Sequence, residues 1–431
     1  MFFRIHLLKK KSQHIVQQTN KMAGGLMQLV AYGAQDVYLT GNPKVTFFQA
    51  VYKRHTNFAM ENIEQTVNGT PGNSGRVSVT VARNGDLIAD MYIEMKAPAS
   101  TKLGTHDAWM AERAIKDVEL SIGGQRIDKH YQKWWRLYSE LYLSEGDRLN
   151  YGKMTTSCAT DGALFLPLIF FFNRNPGLAL PLIALHYHEV RLDIDLASDF
   201  TDYVDSSKTF KVWGNYVYLD TEERRRFAQK GHEYLIEQVQ HTGSDSITVG
   251  SQKQIRLSYN HPVKELVWCT DVDSSNLWNF TYGAPLALSS NLVGLAAVSN
   301  VAVAPNALGA PIALADENTQ FAEDTAGPLD TFKLVLNGQD RFKEQGGKYF
   351  NSVQPFNHHS GSPMPGIYSY SFALKPEEHQ PTGTCNFSRI DNAQVAIKTK
   401  ASSEKNTLHM FAVNYNVLRI QSGMGGLAFS N

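Results

Sequence analysis

One three-part pattern occurs twice, in the same order, and limits the folds open to this chain more than any other feature. In the first copy an alternating strand, Val118, Leu120 and Ile122, runs into Gly123-Gly124-Gln125-Arg126. A glycine follows at Gly177, then a second alternating strand at Val190, Leu192 and Ile194. In the second copy Leu334-Val335-Leu336 runs into Asn337-Gly338-Gln339-Asp340-Arg341, followed by Gly383 and then by Val395 and Ile397. The three parts are displaced by nearly the same amount, about half the chain. A constant displacement implies two domains of one fold. The 431 residues are enough for two or three domains, each with its own core. Such a duplication suits a building block better than a catalyst.

Composition narrows the function. The content is 42% hydrophobic and 19% charged, as in globular proteins, and 41 basic residues balance 41 acidic ones. A dedicated nucleic-acid binder would present a basic field, so direct nucleic-acid binding is not expected. The 19 Tyr and 22 Phe suit strands and broad interfaces. The three cysteines, Cys158, Cys269 and Cys385, are far apart and odd in number, which predicts free thiols in a reducing compartment. The longest apolar run, residues 164–172, is interrupted by Pro167 and is well short of the roughly 20 residues a membrane helix needs. Residues 1–21 carry Arg4, Lys9, Lys10, Lys11 and Lys21 without an acid and lack a secretory h-region. They read as a basic extension, or as untranslated sequence ahead of a start at Met22.

Turn signals then divide the chain. Residues 22–57 form a glycine-punctuated, loop-rich arm. Residues 58–220 make a first sandwich, 221–232 a connector helix capped by Asp220, and 233–431 a second sandwich. Val77, Val79 and Val81 lead into Arg83-Asn84-Gly85-Asp86, a hairpin signal before the next strand. Asp128 reads as the N-cap of a helix through Leu143, with Trp134, Leu137, Tyr138, Leu141 and Tyr142 on one core-facing stripe. The apolar runs LFLPLIFFF and LALPLIAL read as buried strands. Lys230-Gly231 reads as a basic last turn followed by a C′ glycine. Residues 271–331, rich in Ala, Asn, Ser and Gly, read as a long surface excursion. Many short strands and few helices predict an all-β chain, with room in each half for about eight strands, as a jelly roll requires.

Few constellations suggest chemistry. His186 and His188, at i and i+2 of a strand, would share a face and could hold a metal as in cupins. The adjacent Glu189 points the other way, so ordinary strand histidines are the simpler reading, and no metal site, cofactor or catalytic residue is assigned. Asp193 and Asp195 lack the cleft that a glycosidase pair needs. Arg224–Arg226 suit a phosphate, a solvated helix face or an inter-domain ion pair. Sequons stand at Asn68, Asn279 and Asn386.

Several long segments carry a resemblance. MAGGLMQLVAYGAQDVYLTGNPKVTFFQAVYKRHTNFA, IGGQRIDKHY, PLIFFFNRNPGLALPLIALHYHEV, TCNFSRIDNA and NYNVLRIQSGMGGLAFSN closely resemble the major capsid proteins of large icosahedral DNA viruses of algae. Residues 1–21 depart from that pattern. The resemblance implies a double jelly roll, two tandem eight-stranded sandwiches with short helices and long loops, and a structural rather than enzymatic role. It implies a homotrimeric capsomer of pseudo-hexagonal outline in the virion's outer shell, assembled in the host cytoplasm over an internal membrane. Neighbouring capsomers and minor capsid and penton proteins would be its partners, and outward loops would carry glycans, with Asn279, Asn318 and Asn406 as candidates in polar loops. The alternatives are a paralogue forming a minor capsomer, a cupin-like metal-binding jelly roll and a carbohydrate-binding sandwich.

Overall fold

The structure is a computed structural model that describes residues 24–98, 109–156, 162–205, 210–271, 327–364, 366–400 and 406–429. Contacts divide the chain into two units, Met1–Thr56 and Asn57–Asn431. The first contains the short helices Gly24–Val30 and Val37–Thr40, where the glycine pattern suggested loop. Between them the Gly33 amide donates to the Asp36 carboxylate at 2.7 Å.

In the second unit the strands come in two matching sets. The first set is β1 (Phe58–Gln65), β2 (Arg76–Thr80), β3 (Leu87–Lys96), β4 (Ile115–Ile122), β5 (Gln125–Tyr131), β6 (Ala163–Pro167), β7 (Leu180–Pro181), β8 (Val190–Leu196) and β9 (Phe210–Leu219). They form two antiparallel sheets, β1-β9-β3-β6 with the short β7 on β3, and β2-β8-β4-β5. The second set is β10 (His232–Ile247), β11 (Gln252–Leu257), β12 (Pro262–Asp271), β13 (Leu329–Leu336), β14 (Gln339–Asp340), β15 (Ile367–Ser371), β16 (Cys385–Asn386), β17 (Ala393–Thr399), β18 (Asn406–Gln421) and β19 (Met424–Leu427). Its sheets are β10-β18-β12-β15, with β16 on β12 and β19 on β18, and β11-β17-β13-β14. Apart from the two-residue strands Val67–Asn68, beside β2, and Gln345–Gly346, beside β13, each of β1 to β9 has its counterpart at the same place among β10 to β18, and without the short β7 and β16 eight strands recur in a double jelly roll.

The repeated sequence pattern marks equivalent places in these sheets. In the first set Ile122 pairs with Val190 and Leu120 with Leu192. In the second Leu336 pairs with Ala393 and Leu334 with Val395. The turns after β4 and β13 have positive φ at both central residues, 58° and 82° at Gly123-Gly124 and 50° and 81° at Asn337-Gly338. Such turns match the strand twist and favour Asn and Gly. Asn337 turns its side chain to the Asn392 amide at 3.0 Å. A Cβ on Gly123 would instead collide with the His188 ring, so the first copy needs glycine.

Alternating side chains fill each sandwich. Val77, Val79, Ile93, Leu120, Leu164 and Ile194 are buried in the first, and Leu266, Trp268, Phe332, Phe350, Val395 and Met410 in the second. Trp268 stacks on Phe332 at 4.3 Å. Fully burying an aliphatic or aromatic side chain of this kind contributes about 1.5–3 kcal/mol.

Several local expectations are corrected. The strands on either side of Arg83-Asn84-Gly85-Asp86 do not form a hairpin. β2 pairs with β8, and β3 with β9 and β6, so the turn carries the chain from one sheet to the other. Asp128 caps no helix. It lies in β5, and the helix runs from Gln132 to Leu141 after Tyr131. The two apolar runs are buried but only partly extended. β6 ends at Pro167 and is followed by the helix Phe171–Arg174, and the second run supplies β7 and a 3-10 turn at Leu182–Ala184. Burial on every side removes the alternation that separates strand from helix. The helix Thr221–Gln229 forms with Asp220 accepting from the Thr221 amide at 2.8 Å. It ends at an extended Lys230, and Gly231 is not left-handed. Residues 272–326, most of the predicted excursion, lie outside the described residues.

Candidate functional site: the seam between the sandwiches

The middle of the sheet β10-β18-β12-β15, on β12 and β18, is buried on both faces. Leu266, Trp268, Met410 and Ala412 point into the second core. The intervening Val267, Cys269, Phe411 and Val413 belong to the core of the first sandwich. The helix Gln132–Leu141 lies on this outer face, with Trp134 5.7 Å from Phe411. Tyr131 adds edge contacts to His241 at 5.0 Å and to Phe411. A sheet sharing its two faces between two cores joins the sandwiches by the hydrophobic effect.

Buried charges tighten the seam. Glu237 on β10 accepts from Arg174 of the first sandwich at 2.8 Å and pairs with Lys264 of β12 at 2.7 Å. Lys264 also donates to the Pro376 carbonyl at 2.6 Å. Burial drives the Lys264 pKa down to about 8 although Glu237 opposes the shift. Burial works to raise the Glu237 carboxyl, but Arg174 and Lys264 outweigh it and hold it below the usual carboxylate range. Next to them His359 stands 3.1 Å from Glu265 and 3.3 Å from Glu377. Burial favours a neutral imidazole, yet the two carboxylates raise the His359 pKa to about 9. The same loop reaches the first sandwich where the Gly361 amide donates to the Leu141 carbonyl at 2.9 Å.

The helix that carries the seam is itself anchored by buried ions. Arg136 lies 2.7 Å from Glu140 and 3.6 Å from Glu112, with its guanidinium 3.8 Å over the Trp109 ring. Arg148 pairs with Glu140 at 2.9 Å and donates to the Ser362 carbonyl at 3.2 Å. Asp128, the expected helix cap, is a seam residue that accepts from the Val239 amide at 3.0 Å.

Most residues singled out in the sequence hold the structure together. His186 and His188 precede β8 instead of lying in it, so the shared-face argument does not apply. Arg83 donates to both of their carbonyls. The His188 Nδ1 faces the Gly425 carbonyl at 2.9 Å and its amide at 3.2 Å, which pins β19 to the first sandwich. Among the described residues no group of three or more His, Cys, Asp or Glu is placed to hold a metal. Asp195 takes a two-pronged contact from Arg76 at 2.6 and 2.9 Å, and Asp193 pairs with Arg191 at 2.8 Å. Arg224 reaches the buried Asp86 at 3.0 Å, while Arg225 and Arg226 pair with Glu222 and Glu223 along their own helix. Cys269 is buried and Cys385 half-buried. Asn68 is exposed, and Asn386 accepts from the Ser388 amide at 3.0 Å. Asn279, Asn318 and Cys158 lie outside the described residues. Asn406 is not in a loop but opens β18, opposite Ile247. The sequence shows His359 only in an unspecific His358-His359 pair within a Ser/Gly/Pro loop, and it does not single out the seam ions Glu237, Lys264 and Glu265. Their one signal is Lys264-Glu265 inside the apolar stretch Val263–Trp268.

Two antiparallel sandwiches with one strand order define a protein of the double jelly-roll class. Residues 223–426 match the family described as large eukaryotic DNA virus major capsid protein, and residues 46–220 match the major capsid protein N-terminus. The major capsid protein of Paramecium bursaria Chlorella virus 1 is 48% identical over 451 aligned residues, covering 95% of this chain and 100% of the relative. A chain of the quasi-atomic model of the PBCV-1 virus capsid superposes with a TM-score of 0.74 at 42% identity, over 90% of this chain and 100% of that one. The Faustovirus major capsid protein, at 12% identity, shares the fold with a TM-score of 0.66 over 97% of this chain and 98% of its own. The chain belongs to the major capsid protein family of large eukaryotic DNA viruses.

Proposed function

We propose that the chain is the facet-forming subunit of the outer icosahedral shell. Three copies associate into a capsomer of pseudo-hexagonal outline, and capsomers tile side by side in the virion. The role is structural, not enzymatic. The observation that carries this reading is the strand-for-strand equivalence of the two sheet pairs. Two similar sandwiches per chain and three chains per ring give six roughly equivalent sides, which closed symmetry then arranges hexagonally. In this reading residues 58–220 and 233–431 are the two jelly rolls, 221–232 connects them, and 22–57 is an arm preceded by the basic extension 1–21. The arm, with Tyr32, Tyr38, Phe47, Phe48 and Tyr52, contacts neighbouring capsomers or minor capsid and penton proteins on the shell's inner side. Assembly proceeds in the host cytoplasm over an internal membrane, and glycans sit on outward loops of the second jelly roll.

Light scattering on the purified chain tests the capsomer, with three chain masses expected. A stable monomer or dimer would rule the capsomer out. Deleting residues 22–41 is expected to leave trimers intact and to impair shell assembly. Normal shells from the shortened chain would remove the arm's assembly role.

A further inference from the structure

Where β5 of the first sandwich passes β10 of the second, the chain leaves a hollow of about 470 Å³. Small-molecule sites span roughly 300–1,000 Å³, but most are lined by apolar side chains. This one is lined chiefly by amides, hydroxyls and imidazoles. They come from β5, β10, the turn between β11 and β12, and the last described residues of the chain.

The floor of the hollow is already bonded. The Gln238 amide donates to the Ile127 carbonyl and accepts from Asn416 at 3.0 Å. Asn416 also donates to the Phe429 carbonyl at 2.9 Å, and Asp128 takes the Val239 amide at 3.0 Å. These bonds occupy facing edge groups of β5 and β10, so the hollow offers an extended peptide no ladder to join.

The rim is held in place but left open. Gln240 donates to the Asn260 carbonyl at 2.7 Å and accepts from the Asn260 amide at 3.0 Å. The Asn260 backbone is thereby fixed, while its own side chain bonds none of the described residues. Gln125 accepts from the Leu427 amide at 3.1 Å through its carbonyl oxygen, which leaves its NH2 with two donors. His241 faces the Met410 carbonyl through Nδ1 at 2.9 Å. A carbonyl only accepts, so Nδ1 carries the hydrogen, and in the neutral ring Nε2 is an acceptor. Burial lowers the His241 pKa and keeps the ring neutral. The exposed side chains of Arg126 and Ser258 also bond none of the described residues. Phe429, 61% exposed, adds an apolar ring at the same mouth.

These groups select a ligand chemistry. Lys129 lies 3.0 Å from Asp117 and is committed there, and Asp128 stands in the same wall, so the hollow is poorly matched to an anion. Among the described residues no group of three or more His, Cys, Asp or Glu is placed for a metal. A wholly apolar molecule would leave the rim donors unbonded. A ring with hydroxyls around its edge and C–H groups on its faces fits. Each hydroxyl donates and accepts, as the mixed rim requires, and a C–H face lies against an aromatic ring.

We propose that this hollow binds a neutral hexose unit of a glycan or polysaccharide, with Gln125, Asn260 and His241 bonding its hydroxyls and Phe429 supporting its ring. The site lies within one chain, so it stands or falls apart from the trimer.

Titration calorimetry on the purified wild-type chain with neutral trisaccharides of glucose, mannose and galactose tests the site. At least one is expected to bind. Asn260→Ala and Phe429→Ala change exposed side chains, so the circular-dichroism spectrum is expected to stay that of the wild type. Each variant is expected to weaken the binding about tenfold or more. Glycopeptides from a digest of the chain purified from virions, and a soluble neutral cell-wall polysaccharide, are titrated in the same way. The first represents a glycan on a neighbouring copy and the second a glycan met outside the virion. Binding of either supports the site and names the source, and binding of neither overturns it. Silence from every trisaccharide also overturns the site. So does binding that either variant leaves at full strength, because the saccharide then sits elsewhere. Inorganic phosphate or trigalacturonate binding more tightly than every neutral trisaccharide would make the hollow an anion site and remove the proposal.

Discussion

Replacing Glu237 by Gln removes one charge and almost no volume from the centre of the seam. The carboxylate holds Arg174 at 2.8 Å and Lys264 at 2.7 Å, with side-chain exposures of 7% for Glu237 and 1% for Lys264. After the exchange Lys264 keeps the Pro376 carbonyl but faces Arg174 across a neutral amide. Removing one member of a buried ion pair costs about 3–5 kcal/mol, because the remaining charge stays desolvated. Arg174 is 25% exposed and regains some hydration, so the lower end, about 3 kcal/mol, is expected. For a sandwich of this size that is a fall of about 6–12 °C in Tm. The assay is thermal unfolding at neutral pH, with Glu233→Gln as control. Glu233 pairs with Arg419 at 2.8 Å but both are more than half exposed, so less than about 1 kcal/mol should be lost there. If Glu237→Gln behaves like that control, the cluster is hydrated in solution and the buried-ion account of the seam fails.

Other outcomes follow from the same geometry. The raised pKa of His359, about 9, means the folded chain binds a proton that the unfolded chain releases near pH 6.5. Its contribution is therefore complete below about pH 6.5 and lost as pH rises through about 9, with a slope of at most about 1.4 kcal/mol per pH unit. Lys264, lowered to about 8, acts in the opposite sense only above that pH. His359→Gln should accordingly flatten the Tm profile between pH 6.5 and 8, and an unchanged slope would mean that His359 is not charged in the fold. Gly123→Ala should lower Tm well beyond the effect of Gly124→Ala. Both have positive φ, but only at Gly123 does a Cβ meet the His188 ring, whereas Gly124 has open space. Equal effects would show that backbone strain alone sets the preference.

The repeated turn shows what was legible in the sequence. A twisted hairpin needs positive φ at two residues, and few side chains tolerate that, so Gly123-Gly124 and Asn337-Gly338 stand out locally. The exposed alternation of Val190, Leu192 and Ile194 is local in the same way, since one face meets a core and the other solvent. The seam lacked such a signal. β12 and β18 bury both faces, so Leu266, Val267 and Trp268 read as an unpatterned apolar run, and nothing in the run tells which face meets which sandwich.

By itself, then, the sequence determined the duplication, the all-β class and the residues that set the turns, because each depends on backbone preference or on a period of two. The tertiary structure alone decided that Arg83-Asn84-Gly85-Asp86 crosses between sheets, that Asp128 serves the seam and not a helix, and that Glu237 meets Arg174. Those outcomes depend on which distant strand arrives alongside. The first copy's outer sheet face stays open and the second copy's is closed for the same reason. The strands are equivalent, but only the second has a neighbouring sandwich in its own chain to lie against.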